Sequence, residues 1–141
     1  MPAVTSHNYP EFEEVAREYG VSSATSFQTK NTRIVSTSGC IGDDKGGSHA
    51  HQFDLALANI EKSLAAASPH LVPAELWAGV YNITSFHVGG TAAAAEQKEM
   101  AAALRKYTGG HQPSWTAVGA ASLLVPGALV EMHVQAAYEE S

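Results

Sequence analysis

The sequence is poor in cysteine, in basic side chains and in long apolar runs, and each shortage excludes a class of protein. Cys40 is the single cysteine, so no disulfide can form within the chain, which is typical of a reducing, cytoplasmic location. Eight Lys and Arg against 14 Asp and Glu give a formal net charge of −6. That charge argues against nucleic acid and against an anionic membrane surface as partners.

Membrane insertion and secretion are also not expected. No apolar run approaches the roughly 20 residues that a membrane span needs. The N-terminus lacks the basic and apolar segments of a signal peptide, so none is predicted. The length of 141 residues and the apolar fraction of 45% are those of one globular domain. We expect residues 1–20, which are polar and acidic, to form an N-terminal arm or short helix, and residues 21–141 to form a single domain.

The first half of the chain predicts a hairpin followed by a helix. Residues 33–39 are β-branched and follow a turn at residues 30–32, which indicates two paired strands. A helix over residues 51–67 is indicated by apolar side chains at i, i+4, i+7 and i+11, namely Phe53, Leu57, Ile60 and Leu64. Ser68-Pro69 ends this helix.

The second half predicts a strand, a helix and two more strands. Residues 79–88 alternate as a strand does, and Thr91 can cap a helix that runs to about Tyr107. Residues 111–138 are typical of two strands joined by a turn at Pro126-Gly127. The element order is therefore ββαβαββ.

This order predicts an α+β sandwich in which two helices cover one face of one mixed β-sheet. The other face is then in contact with water or with another subunit. The strands carry Val, Ile, Leu, Phe and Met on both faces. That composition favours a closed ring of subunits that buries the uncovered face.

Glu131 and His133 are the most distinctive polar residues of the last strand. They are two positions apart, so both side chains point to the same side, and a carboxylate beside an imidazole can transfer a proton at neutral pH. If that side faces inward, desolvation favours a general acid or base, because burial raises the pKa of a carboxyl group. A pair on the exposed side would have no such role. His111, in the loop after Gly109-Gly110, could reach the same site or be exposed.

No metal or cofactor is expected. His49-Ala-His51 follows a glycine-rich loop and has no evident third ligand for a metal. Gly89-Gly90 is not followed by the Lys-Ser/Thr of a phosphate-binding loop. As a nucleophile, Cys40 would need a nearby base and a lowered pKa, whereas a structural cysteine needs neither.

Several segments in the order and spacing seen here resemble the RidA/YjgF/YER057c/UK114 superfamily over roughly residues 20–138. They are Thr37-Ser-Gly39, Gln52 with Ala-Leu-Ala-Asn59-Ile60, Ser85-Phe86, Pro113-Ser-Trp-Thr-Ala-Val and Leu-Val-Glu131-Met. The resemblance implies a chorismate-mutase-like fold. It also implies a homotrimer whose sheets form a central barrel, with small-molecule clefts between adjacent subunits. The best-known members hydrolyse 2-imino acids to 2-oxo acids and ammonia.

Three positions depart from that resemblance. Trp115 stands where the deaminating members have an arginine, Ala117 replaces the family cysteine, and Thr25 falls near the position of a tyrosine. An arginine would hold a substrate carboxylate in a bidentate fork, whereas a tryptophan has one donor and no charge. Glu131 is retained. The resemblance therefore implies a site that keeps its acid-base residue and has lost its anion anchor.

Together these features predict a small-molecule enzyme that differs from a standard 2-imino acid deaminase. Its chemistry would be hydrolysis, tautomerisation or cyclisation of an imine, enamine or enol-type compound, such as a biosynthetic intermediate, in a cleft between subunits. Glu131 would move the proton, with His111 or His133 assisting. Backbone amides near Ala117 and Val118 would hold an oxyanion. The other expected substrate contacts are Trp115, Phe86, Thr25 and Cys40.

A second interpretation stays open. A trimeric module that binds small molecules or acts as a chaperone, without turnover, would also show the loss of the arginine and the cysteine.

Overall fold

A computed structural model describes residues 3–140. It contains a mixed, seven-stranded sheet in the order β1-β2-β3-β7-β5-β6, with the short β4 also paired to β7. The strands are β1 Thr5–His7, β2 Ala24–Thr29, β3 Thr32–Thr37, β4 Cys40–Ile41, β5 Val80–Val88, β6 Ser114–Ala120 and β7 Val130–Glu139. The helices are α1 Glu13–Tyr19, α2 His49–Ala67, α3 Pro73–Ala78, α4 Gly90–Ala95 and α5 Gln97–Thr108. In the described part of the chain, no helix has the length and apolarity needed to cross a membrane.

Helix α2 confirms the predicted helix and begins two residues earlier. Ser48 is the N-cap, and its hydroxyl oxygen accepts a hydrogen bond from the backbone N–H of His51 at 3.1 Å. This bond satisfies a donor that the first turn would otherwise leave unpaired, so the helix starts at His49. The predicted apolar stripe is fully buried against the sheet.

The predicted second helix is two helices. Gly89 has φ 69° and is the N-cap of α4, so Thr91 is not the cap, and the helical path breaks at Glu96. The carboxylate of Glu96 accepts a hydrogen bond from the backbone N–H of Ala50 at 3.1 Å, at the start of α2. A carboxylate is favoured at a helix N-terminus. This contact between distant segments, which no local pattern encodes, coincides with the break.

The N-terminal hairpin is confirmed, but the two closing strands are not neighbours. β2 and β3 pair antiparallel around a turn in which Lys30 has φ 51°. β5 lies between the closing strands, parallel to β6 and antiparallel to β7. The segment with Pro126-Gly127 therefore passes over the end of β5. After β5 the chain passes through α4 and α5 and returns to the same edge of the sheet as β6. A connection of this kind joins parallel strands.

The helices cover one face of the sheet, and β7 shows the division most clearly. Val130, Met132 and Val134 are fully buried on the covered face, while Glu131 and His133 lie half-buried on the uncovered face. The prediction of apolar side chains on both faces is therefore wrong for β7. It holds for β5, where the half-buried Phe86 lies on the uncovered face. A register shift between Val80 and Asn82 also turns Val80 into the core.

Arg33 closes the C-terminal end of α2. Its guanidinium donates hydrogen bonds to the Ala67 carbonyl at 2.7 Å and the Ser68 hydroxyl at 2.6 Å, and also pairs with Glu140 at 2.6 Å. The ring of Tyr138 lies 5.6 Å from the guanidinium carbon. An arginine inside the core is tolerated here because its donors meet acceptors.

Candidate functional site

A pocket of about 370 Å³ opens at the edge of the sheet formed by β6, where α4 and the start of α5 pass over β5 and β6. Trp115 and His87 form its aromatic wall, and Gln97 adds an amide. The described residues that line it carry no carboxylate, ammonium or guanidinium group; they are His87, Gly90, Ala93, Ala94, Gln97, Met100, Trp115, Ala117, Val118 and Gly119. Of the residues predicted from the sequence, the structure places Trp115, Ala117 and Val118 here.

Trp115 is held by packing and by one hydrogen bond. It pairs with Ile83 of β5, so its side chain lies on the covered face, and its ring packs against Phe53 of α2 with 5.5 Å between centroids. The indole N–H donates a hydrogen bond to the hydroxyl oxygen of Ser85 at 2.8 Å. Because its ring packs on Phe53 and its N–H is bonded to Ser85, Trp115 forms a rigid wall of the pocket.

His87 is the second aromatic residue of this wall. It is 5% exposed, and its ring lies nearly parallel to that of Phe53, with 6.4 Å between centroids. Nε2 is 2.7 Å from the hydroxyl oxygen of Ser85, while Nδ1 has no hydrogen-bond partner among the described residues. Burial lowers the pKa of His87, and the nearby His49 lowers it further. The imidazole is therefore neutral at pH 7.

Neither His87 nor Ser85 is among the site residues predicted from the sequence. The available signal was the alternation of β5, which puts Ile83, Ser85 and His87 on one side. A histidine on the side that carries a core isoleucine must be buried, and a buried imidazole needs partners. Phe53 was identified as a core residue, but its contact with both aromatic side chains of the pocket depends on how α2 crosses the sheet.

Behind the pocket, His49 and Glu96 connect α2 to the junction of α4 and α5. His49 Nε2 is 2.7 Å from the carbonyl oxygen of Val88, and Nδ1 is 3.4 Å from the Glu96 carboxylate. The hydrogen bond from Ala50 lowers the pKa of Glu96, and His49 adds to this effect. These contacts hold the helices that form one side of the pocket.

The two histidines of the His-x-His segment have separate partners. His49 is buried and contacts Val88 and Glu96, whereas the side chain of His51 is half-exposed and its Nε2 lies 2.9 Å from the Asp44 carboxylate. Within residues 3–140, no group of three or more His, Cys, Asp or Glu side chains is placed to hold a metal ion.

Glu131 and His133 lie together, as predicted, but on the uncovered face. Phe86 is directly across from Glu131, and the rings of Phe86 and His133 are 6.3 Å apart. A Cβ atom at Gly39 would come within 3.0 Å of the Glu131 carboxyl group, so the glycine leaves the space that this carboxyl group occupies.

Trp115 and Glu131 therefore lie on opposite faces of the same sheet. Their partners on β5 are Ile83 and Phe86, which are three positions apart, and an odd separation reverses the side of a strand. Within one chain, the two side chains therefore do not line the same cleft. The reason is the position of β5 between β6 and β7, which the sequence pattern did not reveal.

The structure places two further candidates, His111 and Thr25, at other parts of the sheet. His111 is exposed, and its Nε2 lies 2.6 Å from the carbonyl oxygen of Val80. Val80 is six residues from Phe86 along β5, or about 20 Å at the rise of a strand. Thr25 lies on β2 opposite Ser36, with β3 and β7 between it and β5. Within one chain, His111 therefore lies far from Glu131, and Thr25 lies far from Trp115.

Cys40 belongs to the core. It is 7% exposed, and its sulfur lies 3.9 Å from the hydroxyl oxygen of Ser63 in α2. Burial raises the pKa of the Cys40 thiol to about 11. A nucleophilic cysteine needs a lowered pKa, so within one chain this thiol packs in the core and is not placed to act as a nucleophile.

Comparisons with known proteins agree with this architecture. The family model described as Endoribonuclease L-PSP matches residues 9–138. No curated protein sequence is significantly similar to the chain.

Solved structures share the α+β, chorismate-mutase-like fold. One is a YjgF/YER057c/UK114 family member from Mycobacterium tuberculosis, with a TM-score of 0.70, 22% identity, and coverage of 94% of this chain and 98% of that one. Yeast Mmf1 has a TM-score of 0.65 and 21% identity over 98% and 99% of the two chains. A YjgF family member from Neisseria meningitidis has a TM-score of 0.67 and 18% identity over 98% and 97%. The chain therefore belongs to the RidA/YjgF/YER057c/UK114 superfamily.

Proposed function

We propose that this protein is an enzyme that carries out acid-base chemistry on an uncharged imine, enamine or enol-type small molecule bound at the β5–β6 edge. The observation that carries the proposal is the pocket with an aromatic wall of Trp115 and His87 and no ionised side chain in its lining. Concave, mostly apolar sites with a few fixed polar groups are typical of small-molecule binding.

The lining argues against a carboxylate-bearing substrate. Buried anions need a paired cation or several strong donors. The pocket has an indole N–H already donated to Ser85, a neutral imidazole and the amide of Gln97. A flat, uncharged ligand can pack against Trp115 and Met100 without leaving a charge unpaired, so hydrolysis of an anionic 2-imino acid is not the reaction that we propose.

Glu131 takes part in our proposal through a homotrimer. Among the described residues, β6 is an edge strand that pairs with β5 alone, so part of its backbone polar groups face outward. Val118 on that edge is 39% exposed, and Leu124 in the following loop is fully exposed. We propose that a neighbouring copy covers this edge and the uncovered face, and that its Glu131 completes the cleft beside Trp115. Glu131 would then exchange the proton, or position the water, that the pocket itself cannot supply.

The family model carries the name of an endoribonuclease, and this activity is not the one that we propose. Proteins that bind RNA need basic side chains for its phosphates. The described lining of the pocket has none, and the chain has a net charge of −6.

A binding module without turnover is the second candidate. It is favoured by two observations: within a chain, Glu131 points away from the pocket, and Cys40 is buried. The pocket of one chain would then bind a ligand and have no group to transform it.

Three measurements separate these alternatives. Light scattering gives the subunit number, and a monomer would remove the basis for a cleft between subunits. A panel of imines, enamines and enol-type ketones is then assayed with the wild type, Glu131→Gln and Glu139→Gln. Glu139 is an exposed carboxylate on the same strand and is the matched control. We expect Glu131→Gln to lower kcat by about a hundredfold or more and the control to be unchanged. Ligand binding without turnover in the wild type would favour the binding module.

A further inference from the structure

Helix α4 lines the pocket but is only weakly packed against the rest of the chain. Gly90, Ala93 and Ala94 form part of the pocket wall. Of the six residues of α4, all of which the structure describes, Ala93 alone is buried, and the side chains are four methyl groups and one threonine. Methyl groups bury little apolar surface, and a helix this short is not stable by itself. Segments with few buried apolar contacts open locally at a small cost in free energy.

Both ends of α4 interrupt the helical backbone. Its N-cap, Gly89, has φ 69° and ψ 66°, a left-handed conformation that glycine adopts without strain. Its C-cap, Glu96, has φ −107° and ψ 13°, and α5 begins at the next residue. The flanking elements β5 and α5 are held by buried side chains such as Ile83 and Leu104. Hinges consist of a few residues at the ends of an element, so Gly89 and Glu96 are suited to this role.

The carboxylate of Glu96 attaches the C-terminal end of α4 to the first turn of α2. One oxygen accepts a hydrogen bond from the backbone N–H of Ala50 at 3.1 Å, and the other lies 3.4 Å from Nδ1 of His49. The bond from Ala50 lowers the pKa of Glu96, so the carboxylate is ionised at pH 7. Hydrogen bonds to a charged acceptor are roughly twice as strong as those between neutral groups. This attachment is therefore strong compared with the packing of Ala93.

His49 joins the N-terminal end of α4 to the same turn of α2. Its Nε2 lies 2.7 Å from the carbonyl oxygen of Val88, and because a carbonyl group only accepts, the imidazole donates this bond. Val88 directly precedes Gly89. His49 is buried, so water competes little for the bond. The first turn of α2 thus fixes the residues on either side of α4, whereas α4 itself is attached through Ala93.

We propose that α4 is a lid over the pocket, which turns at Gly89 and is held closed by the contacts of Glu96 with the first turn of α2. This inference rests on the proposed function, because a neighbouring copy that covers the β6 edge leaves the α4 side as the route for a ligand. When the Glu96 carboxylate leaves Ala50 and His49, α4 loses its attachment at one end and the pocket opens. In the closed state the lid excludes water, which strengthens the polar contacts of a bound ligand.

The first test is amide hydrogen exchange of the intact, ¹⁵N-labelled protein, measured by NMR. In the wild type, the amides of α4 should exchange faster than those of α5 from Met100 onward. Glu96→Ala should accelerate exchange in α4 about tenfold, the value of one hydrogen bond to a charged group, and leave α5 unchanged. Ser48→Ala is the matched control, since it removes the N-cap bond of α2 to His51 without touching α4. Equal protection of α4 and α5 in the wild type, or equal effects of the two variants on α4, would overturn the inference.

The second test measures the binding rates of acetophenone, a flat and uncharged ketone, by stopped-flow tryptophan fluorescence. Trp77 is fully buried, so a change in fluorescence reports on Trp115. Glu96→Ala should raise the association and dissociation rate constants together, about tenfold each, and Ser48→Ala should change neither. Unchanged rate constants in Glu96→Ala would refute the lid and leave the proposed function standing. If acetophenone does not change the fluorescence of the wild type, the proposed function loses support for its pocket, and the exchange rates of α4 decide the inference.

Discussion

Phe53 supports the pocket from below, and its replacement by alanine is the most direct test of this arrangement. The side chain is fully buried and contacts the rings of both Trp115 and His87. Removing it takes away about 150 Å² of buried apolar surface, which corresponds to about 4 kcal/mol at about 25 cal/mol per Å². Measured losses for buried Phe→Ala changes are about 3–5 kcal/mol, since the remaining cavity adds to the transfer term.

The assay is urea unfolding at one fixed protein concentration, because subunit association would shift the transition. With a slope of about 2 kcal/mol per molar urea, a loss of 4 kcal/mol moves the midpoint down by about 2 M. Phe27→Ala is the matched control, since Phe27 is 42% exposed on β2 and should cost far less. Ligands from the panel of imines, enamines and enol-type ketones should also bind Phe53→Ala more weakly, because Trp115 and His87 lose their support. A loss below about 1.5 kcal/mol, or equal losses for both variants, would refute the reasoning.

Three further changes test other parts of the structure. Gly42→Ala should lower the free energy of unfolding by about 2 kcal/mol in thermal unfolding, because its Cβ would lie 2.3 Å from the Gln52 carbonyl oxygen. Gly90→Ala is the control and should cost little, since no atom lies within 4 Å of its Cβ position. Equal losses for the two variants would contradict this reasoning. Arg33→Met should lower the free energy of unfolding by about 3 kcal/mol in thermal unfolding, because the carbonyl groups at the C-terminal end of α2 lose their hydrogen-bond donor. An unchanged Tm would contradict the role given to this side chain. Burial lowers the pKa of His87 when the protein folds, so below pH 6.5 the unfolded state binds more protons and the free energy of unfolding falls as pH decreases. His87→Phe should reduce this slope, and an unchanged slope between pH 6.5 and 5 would show that His87 is not responsible.

Local sequence patterns were sufficient to predict the helices and strands that have one apolar side facing the core. The stripe from Phe53 to Leu64 gave α2, and the alternation of residues 79–88 gave β5 with its two sides correctly divided from Ile83 to Val88. The family resemblance gave the fold class, because a few segments at fixed spacing are shared with proteins of the same architecture. The acidic segment before residue 20 formed helix α1, while the pairing of Thr5–His7 with β2 was not predicted.

The candidate site could be predicted only in part. Trp115, Ala117 and Val118 were predicted from the family resemblance, which implies a site at these positions, and all three line the pocket. His87 was missed because a single histidine in an apolar strand carries no motif. Its importance depends on Ser85, two positions away, and on Trp115, which is thirty positions away in the chain. The burial of Cys40 against Ser63 could not be predicted, because Ser63 belongs to a helix whose path over the sheet is not a local property.

By itself, the sequence determined the helix stripes and the strand alternation, because these depend on neighbours within a few residues. Only the tertiary structure decided that β5 separates β6 from β7 and that the helical path breaks at Glu96. Both depend on contacts between distant segments, whose energies a local pattern does not contain. The position of β5 places Trp115 and Glu131 on opposite faces of the sheet, and so decides which residues of one chain can act on the same molecule.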